Sequence, residues 1–227
     1  MQYSFSVIAK IRTPFAEKFG IPRQAGLACE VKGEIIFEAE YRNPEALRGI
    51  EGFSHIWLLW CFSEHEEKSW HPTVRPPRLD GSTRVGVFAT RSPFRPNPIG
   101  LSLVKLEEVD WEAADGPILR VSGADLMDDT PIFDMKPYIP YADCRPEAEA
   151  TFVNEHEWPL LEVEIAPELL EKFPFDQRSA LYEVLAQDPR PAYHKDPERI
   201  YGLSFAGQNI KFTVRGNVLQ VTKVSPL

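Results

Sequence analysis

A mainly β protein is predicted by the sequence: a small β-barrel followed by a small α+β unit at the C-terminus. Three observations lead to this fold class. Six short runs of β-branched or alternating apolar residues fill the first 127 residues. Glycine, proline, asparagine or aspartate bounds each run, and only one helical pattern interrupts them. After residue 145 the composition turns acidic and weakly periodic, so we expect a barrel domain at 1–145 and a second domain at 158–227.

The six predicted strands are joined by short links, which favours a closed or nearly closed barrel. They cover residues 4–13, 33–40, 55–62, 83–90, 101–109 and 118–127. The single helical pattern begins with Asn43 as N-cap and Pro44 at the first helical position, and Gly49 follows its last turn.

The C-terminal part of the chain has a different pattern. Residues 146–157 are predicted to be a linker, and two helices follow at 166–173 and 175–187, separated by Pro174. Three short strands are predicted at 199–207, 209–216 and 217–223, with a hairpin turn at Gly216 and Asn217. A unit of about 70 residues buries little apolar surface by itself, so we expect it to depend on docking for stability.

Composition is typical of a soluble globular protein, since 43% of the 227 residues are hydrophobic and 26% are charged. No apolar run reaches the ~18 residues that cross a bilayer, and the N-terminus lacks the pattern of a signal peptide. The three cysteines, Cys29, Cys61 and Cys144, are odd in number and widely spaced. We therefore expect a reduced, cytoplasmic protein without membrane contact.

Several common catalytic motifs are absent from the sequence. There is no G-x-G-x-x-G, no G-x-x-x-x-G-K-[ST] and no G-x-S-x-G. No cysteine or histidine pair has the spacing of a zinc site, so we expect no metal. These absences argue against dinucleotide dehydrogenases, common kinases and metallohydrolases. A hydrolase using Cys61 or clustered aspartates stays an alternative, although Cys61 lies in an apolar run that predicts burial.

The distribution of charge is uneven. The net charge is −9, yet residues 71–105 contain six cationic side chains and the single acid Asp80. A segment of this kind is either a solvated face paired with acids elsewhere or a surface for an anionic partner.

Four clusters combine rigid backbone with polar side chains. The first is residues 19–27, where Pro22 stiffens a loop that presents Arg23 and Gln24. The second is residues 62–67, where polar side chains follow a hydrophobic strand. The third is T-R-S-P-F-R-P-N-P-I-G-L-S, residues 90–102, and the fourth is the acidic, proline-containing segment 123–143. One basic and one acidic loop at a barrel mouth suit a zwitterionic ligand and an anionic partner.

These strings resemble a known family. F-G-I-P-R-Q, G-F-S-H-I-W-L-L-W-C-F, R-P-P-R-L-D-G, V-G-V-F-A-T-R-S-P-F-R-P-N-P-I-G-L-S-L-V, D-L-M-D-D-T-P-I-F-D-M-K-P-Y-I-P-Y-A-D and L-A-Q-D-P-R-P-A-Y-H-K are similar to the TsaA-like (TrmO-type) bacterial tRNA adenosine N6-methyltransferases. The resemblance covers almost the whole chain. It implies S-adenosylmethionine bound in loops at the barrel mouth without a Rossmann fold, a homodimer, and N6-methylation of threonylcarbamoyladenosine beside the anticodon of a threonine tRNA.

The resemblance also implies roles for particular residues. The expected cofactor-binding residues are Arg23, Gln24, Ser63, Glu64, Arg91, Leu101, Asp125, Leu126, Met127 and Asp128. From their side-chain chemistry rather than from the resemblance, we expect Arg75, Arg78, Arg95, Asn97 and Lys136 to bind the tRNA. The candidates for orienting or accepting the N6 proton are Asp125, Asp128, Asp134 and Tyr138, and the sequence does not choose among them.

Two questions stay open at this point. Residues 188–195 either guide the anticodon arm or form a proline-stiffened loop that packs on the barrel. A nonenzymatic RNA-binding or cofactor-sensing barrel is the competing function, because Phe88, Phe94 and Tyr138 are aromatic side chains on which bases stack.

Overall fold

The computed structural model describes residues 3–65, 69–76, 83–150, 159–191 and 196–227. Within these ranges no helix has both the length and the apolar character needed to cross a membrane. The strands of the first unit are β1 (Ala9–Arg12), β2 (Lys32–Phe37), β3 (His55–Cys61), β4 (Thr73–Val74), β5 (Val85–Gly86), β6 (Ile99–Asp110), β7 (Ile118–Ser122) and β8 (Thr130–Pro137). The remaining elements are helix α1 (Pro140–Asp143), β9 (Glu162–Glu164), α2 (Pro167–Leu170), α3 (Arg178–Ala186), β10 (Tyr201–Phe205), β11 (Gln208–Arg215) and β12 (Val218–Pro226).

Six strands form a closed barrel in the order β1-β2-β7-β6-β3-β8, with antiparallel neighbours throughout. This confirms the mainly β fold class. Alternation along β3 explains the closure, because Ile56, Leu58 and Trp60 are buried while the residues between them are only half-buried. The barrel core consists of such inward-facing side chains from all six strands.

One predicted strand was wrong, and one strand of the barrel was missed. Residues 83–90 form only the two-residue β5 and a 3-10 helix, Val87–Ala89, so this segment does not enter the barrel. Its place is taken by β8, which the sequence analysis treated as part of an acidic loop. The pattern was misleading because Pro131 and Pro137 suggested a loop, yet both lie within two residues of the ends of β8, where strands tolerate proline.

The second unit is a four-stranded sheet in the order β10-β11-β12-β9, together with α2 and α3. The three predicted strands and the turn at Gly216 are confirmed, and Gly216 has the positive φ of 60° that a tight hairpin requires. The edge strand β9 was missed. It has three residues and two of them are glutamates, so its strand conformation comes from parallel pairing with β12 rather than from local propensity.

The connection between β1 and β2 joins the two units. Its apolar residues Phe15, Ala28 and Val31 belong to the core of the second unit rather than to the barrel core. The Phe15 and Phe205 rings lie 5.6 Å apart, and Gly20 has a φ of 95° where a Cβ would come within 1.9 Å of Leu203. The expected dependence of the C-terminal unit on docking therefore has a structural basis.

We expect Phe15→Ala to lower the free energy of unfolding by about 3–5 kcal/mol, because the truncation leaves a cavity in the shared core. Denaturant unfolding measures this loss. The matched control is Phe175→Ala, since Phe175 is 86% exposed and its loss should change stability by about 0.5 kcal/mol or less. Equal effects of the two substitutions would contradict the shared core.

Candidate functional site

A cleft of about 730 Å³ opens at the mouth of the barrel where β3 ends and β6 begins. This volume is in the range of sites for small organic ligands. The cleft is formed by the β1–β2 connection, the segment after β3, the proline-containing loop before β6 and the segment between β7 and β8. Its lining includes Lys18, Arg23, Gln24, Trp60, Phe62, Ser63, Glu64, Phe88, Arg91, Arg95, Asn97, Ile99, Gly100, Leu101, Asp125 and Met127.

The floor of the cleft depends on a cross-strand pair. Trp60 of β3 lies directly opposite Gly100 of β6, and a Cβ on Gly100 would come within 2.2 Å of the indole ring. Glycine is therefore the residue that leaves room for the indole. The Trp60 ring is 8% exposed and also contacts Phe62, with ring centroids 4.3 Å apart.

A half-buried carboxylate lies beside this floor. Asp125 follows the end of β7, and its Oδ1 accepts a hydrogen bond from the Ser102 hydroxyl at 2.5 Å. Burial raises the pKa of Asp125 above its ordinary value, while hydrogen bonds from Ser102, its own backbone and the Ala25 N–H, together with the charge of Arg91, oppose this shift. The cleft thus holds one acid whose charge depends on its neighbours.

Two contacts connect the β1–β2 connection to the other walls. The Arg91 guanidinium donates to the Gln24 side-chain oxygen, and the Lys18 ammonium lies 3.6 Å from a Glu64 carboxylate oxygen. Both pairs are solvent-exposed in part, so each contributes little to stability. Their effect is to hold cationic and anionic groups at the rim of the same cleft.

The β1–β2 connection is also held from the second unit. Arg23 Nη2 donates to the carbonyl oxygens of Asp188 and Arg190, both at 3.5 Å, and Gln187 Nε2 donates to the Leu27 carbonyl at 2.9 Å. These contacts favour the packed-loop alternative for residues 188–191. Residues 192–195 of the same predicted loop lie outside the described residues.

The proline-containing loop is fixed by its own side chains. The Thr90 hydroxyl donates to the Val87 carbonyl at 2.8 Å, and Arg95 Nη1 donates back to the Thr90 carbonyl at 3.1 Å. Pro93 restricts φ within the segment that these bonds close, and Pro96 and Pro98 restrict φ in the residues that lead from it to β6. Arg95 thus lies against its own loop at the cleft rather than extended into solvent.

Most of the predicted cofactor-binding residues line one cleft. They are Arg23, Gln24, Ser63, Glu64, Arg91, Leu101, Asp125 and Met127, and the predicted tRNA-binding residues Arg95 and Asn97 lie with them. Their roles stay predictions, because the structure gives their positions and no ligand contacts.

Leu126 and Asp128 lie outside this cleft. Leu126 is fully buried in the barrel core, since side chains alternate along this segment and its neighbours point to the opening. Asp128 Oδ1 accepts the Thr13 backbone N–H at 3.0 Å, and the Asp128 N–H donates to the Phe15 carbonyl at 2.8 Å. Asp128 therefore stabilises the start of the β1–β2 connection.

The other two proton-transfer candidates also lie apart from the cleft. Asp134 lies on the outer face of β8 opposite Leu59, with its carboxylate 2.8 Å from the Lys136 ammonium. The Tyr138 N–H donates to the His55 carbonyl at the beginning of β3, about 20 Å along the strand from the cleft. Burial, Cys144 and Asp143 raise the pKa of Tyr138.

The remaining predicted tRNA contacts are dispersed. Lys136 is on the outer face with Asp134, and Arg75 is exposed after β4 without lining the cleft. Arg78 lies outside the described residues.

Sequence reasoning missed Lys18, Trp60, Gly100 and Ser102. The first is one lysine in a polar loop and carries no distinctive signal. The other three lie in β3 and β6. Trp60 was interpreted only as a strand residue, and Gly100 and Ser102 were included in the proline-containing segment 90–102 without a role of their own. The one available signal was that Gly100 and Ser102 are small and alternate with the apolar Ile99, Leu101 and Leu103, which marks a face where something large packs closely.

Both units of the chain match models of known protein domains. The tRNA-methyltransferase O N-terminal domain matches residues 10–144, and the TrmO C-terminal domain matches residues 159–227. The chain belongs to the tRNA-methyltransferase O family. A tRNA (adenine(37)-N6)-methyltransferase of Escherichia coli (strain K12) is 43% identical over 232 residues, covering 99% of this chain and 98% of that protein.

Other members of the family agree in extent and fold. A putative S-adenosylmethionine-dependent methyltransferase RcsF of Pseudomonas aeruginosa is 42% identical over 210 residues, 89% of each chain. A crystal structure of TrmO from Pseudomonas aeruginosa has a TM-score of 0.78 and 35% identity, covering 100% of this chain and 98% of that chain. The resemblance stated from the sequence is thus confirmed.

Among the described residues, no group of three histidine, cysteine or acidic side chains could hold a metal ion. The cleft instead combines apolar surface with separated cationic and anionic groups. This arrangement suits an organic ligand that has a flat apolar part and charges of both signs.

We expect Gly100→Ala to destabilise the protein by about 1–3 kcal/mol, because the added methyl group overlaps the Trp60 ring in a packed floor. Urea unfolding measures the change. Gly52→Ala is the control, since a Cβ at Gly52 meets no atom within 4 Å. A Gly100→Ala protein as stable as the control would show that the floor accommodates the methyl group freely.

Proposed function

We propose that this protein is an S-adenosylmethionine-dependent methyltransferase that acts on N6 of adenosine 37 in tRNA. The observation that carries the proposal is the full-length match to the Escherichia coli tRNA (adenine(37)-N6)-methyltransferase. The finer assignment, threonylcarbamoyladenosine beside the anticodon of a threonine tRNA, follows from the resemblance of the sequence motifs. The absence of a dinucleotide fingerprint is compatible with a cofactor site built from barrel loops.

The residues of the cleft fit S-adenosylmethionine. Its carboxylate is matched by the Arg91 guanidinium, and its cationic groups by the carboxylates of Asp125 and Glu64. The apolar surfaces of Leu101 and Met127 are suited to a flat base. When bound, the cofactor would supply an electrophilic methyl group.

This chain's own residues then have two tasks. The first is alignment of the acceptor nitrogen with the methyl group, and rigid walls achieve this by removing freedom before the reaction. The second concerns the proton that leaves N6. Of the four candidates Asp125, Asp128, Asp134 and Tyr138, Asp125 is the one that lines the cleft, so we assign the orientation or acceptance of that proton to its carboxylate.

The test incubates the protein with labelled S-adenosylmethionine and total tRNA and locates the methylated nucleoside by mass spectrometry. We expect one labelled product, N6-methylated at position 37. Arg91→Ala should bind the cofactor about tenfold more weakly by calorimetry, because a charged hydrogen bond is lost. Arg48→Ala is the control, since Arg48 is an exposed arginine paired with Glu45 away from the cleft.

Binding of tRNA without methyl transfer would instead favour the nonenzymatic RNA-binding barrel, for which the 75% exposed Phe88 at the cleft is a stacking candidate. No cofactor binding at saturating concentration would exclude both the enzyme and a cofactor sensor.

A tRNA-binding role for Arg95 has its own expected outcome. Arg95→Ala should weaken tRNA binding and reduce the salt slope of the affinity by about one, since one phosphate contact is lost. Filter binding over a range of salt concentrations measures the slope. An unchanged slope would mean that the Arg95 guanidinium serves only its bond to the Thr90 carbonyl.

Two further expectations belong to this proposal. The domains are 1–145 and 158–227, and the family matches at 10–144 and 159–227 support this division. The protein is a homodimer, for which the outer face of β3 and β6 is a candidate surface, since Leu59 and Leu103 face outward there.

A further inference from the structure

A serine is buried in an apolar part of the barrel beneath the cleft. Ser102 of β6 is 2% exposed and faces inward with Val104 and Leu106. A hydroxyl group placed there loses its hydrogen bonds to water, which costs free energy unless protein groups replace them. The partners of the Ser102 hydroxyl therefore indicate what it does.

The Ser102 hydroxyl both accepts and donates a hydrogen bond. The Trp60 indole Nε1 donates to the Ser102 Oγ at 2.9 Å, and the Ser102 hydroxyl donates to Asp125 Oδ1 at 2.5 Å. An indole N–H can only donate, so the serine oxygen must be the acceptor in the first bond. The hydroxyl proton is thereby directed toward the carboxylate, and the chain of bonds has a fixed direction.

The position of the indole is itself fixed. Gly100 makes room for the ring, as described above, and Phe62 contacts its side. Trp60 therefore has little freedom to turn its N–H away from Ser102. The same carboxylate faces the cleft, where it also receives the Ala25 N–H and experiences the charge of Arg91.

We propose that Ser102, oriented by Trp60, is a positioning residue that keeps the Asp125 carboxylate charged and directed into the cleft, and so strengthens the binding of a cationic ligand. The inference rests on the proposed function, because S-adenosylmethionine is the cationic ligand considered. It goes beyond that function by assigning roles to Ser102 and Trp60, neither of which is among the expected cofactor-binding residues.

The hydrogen bond from Ser102 to Asp125 makes the effect of Ser102→Ala on ligand binding depend on pH. Burial raises the pKa of Asp125 and the Ser102 hydrogen bond lowers it, so removing the hydroxyl raises this pKa further. The charged form is then lost at a higher pH. The binding defect of Ser102→Ala is therefore largest in acid and decreases as the pH rises, whereas a purely structural defect would persist at every pH.

The experiment measures S-adenosylmethionine affinity by calorimetry from about pH 5 to about pH 9. We expect Ser102→Ala to bind about tenfold more weakly at the acid end and to approach the wild-type affinity at the alkaline end. Trp60→Phe should shift the profile in the same direction by less, since it removes the donor that orients the serine. Because Trp60 also forms the floor of the cleft, the pH dependence rather than the affinity at one pH is compared for this variant. In an Asp125→Asn background Ser102→Ala should have no further effect on the profile.

The chain offers a matched control. Ser122 is 3% exposed, and its hydroxyl donates to Glu107 Oε1 at 2.6 Å on another part of the barrel. Ser122→Ala therefore removes an equivalent bond without affecting the cleft and should retain the wild-type profile. The other charged groups of the cleft, Lys18, Arg23, Glu64, Arg91 and Arg95, are the same in every variant, so a difference between two profiles comes from the substituted residue.

The possible failures are distinguishable. Wild-type protein that binds no S-adenosylmethionine at any pH would overturn the proposed function. If the wild-type protein binds S-adenosylmethionine and Ser102→Ala weakens this binding equally at all pH values, or not at all, the positioning role alone is overturned. Urea unfolding of each variant at both ends of the pH range confirms that the proteins compared are folded.

Discussion

Packing of the β1–β2 connection against the C-terminal sheet is the interaction on which the cleft depends. Phe15 and Val31 are buried in the core of the second unit, and between them the chain presents Arg23 and Gln24 to the cleft. Long connecting segments are usually more mobile than the strands that they join. Here the apolar side chains of the connection lie in another unit's core, which makes one wall of the cleft as rigid as that core. The C-terminal unit thus has a structural role in the site even though none of its described residues lines the cleft.

The barrel constrains the cleft in a second way, through polar side chains that are buried in its interior. Trp60, Ser102 and Asp125 form a continuous series of hydrogen bonds from the packed interior to the cleft. Such a series orients its last member without a bound ligand, because each donor has one available acceptor. Positioning of this kind is what methyl transfer needs, since the reaction gains more from alignment than from a strong acid or base.

The aspartates of residues 123–143 show how tertiary structure separates groups that are adjacent in sequence. The sequence suggested one acidic loop whose charges repel. In the structure Asp128 accepts a backbone N–H, Asp129 pairs with Lys10, and Asp134 pairs with Lys136 on the outer face. Strand β8 carries part of the segment away from the mouth, so only Asp125 remains in the cleft. The repulsion is relieved by distance and by individual partners.

The fold class, most of the strands, the Asn43 cap and the loops that meet at the cleft could be predicted from the sequence, because these depend on local alternation, turn residues and strings long enough to identify a family. Three features needed the folded chain: β8 closes the barrel, β9 is a strand, and Ser102 and Trp60 form the hydrogen bonds that lead to Asp125. Each of these depends on a partner far away in the chain: β3 and β1 for β8, β12 for β9, and a neighbouring strand for the buried serine. Local alternation shows which side chains face inward but not which distant segment pairs with the strand, so the sequence did not reveal these partners.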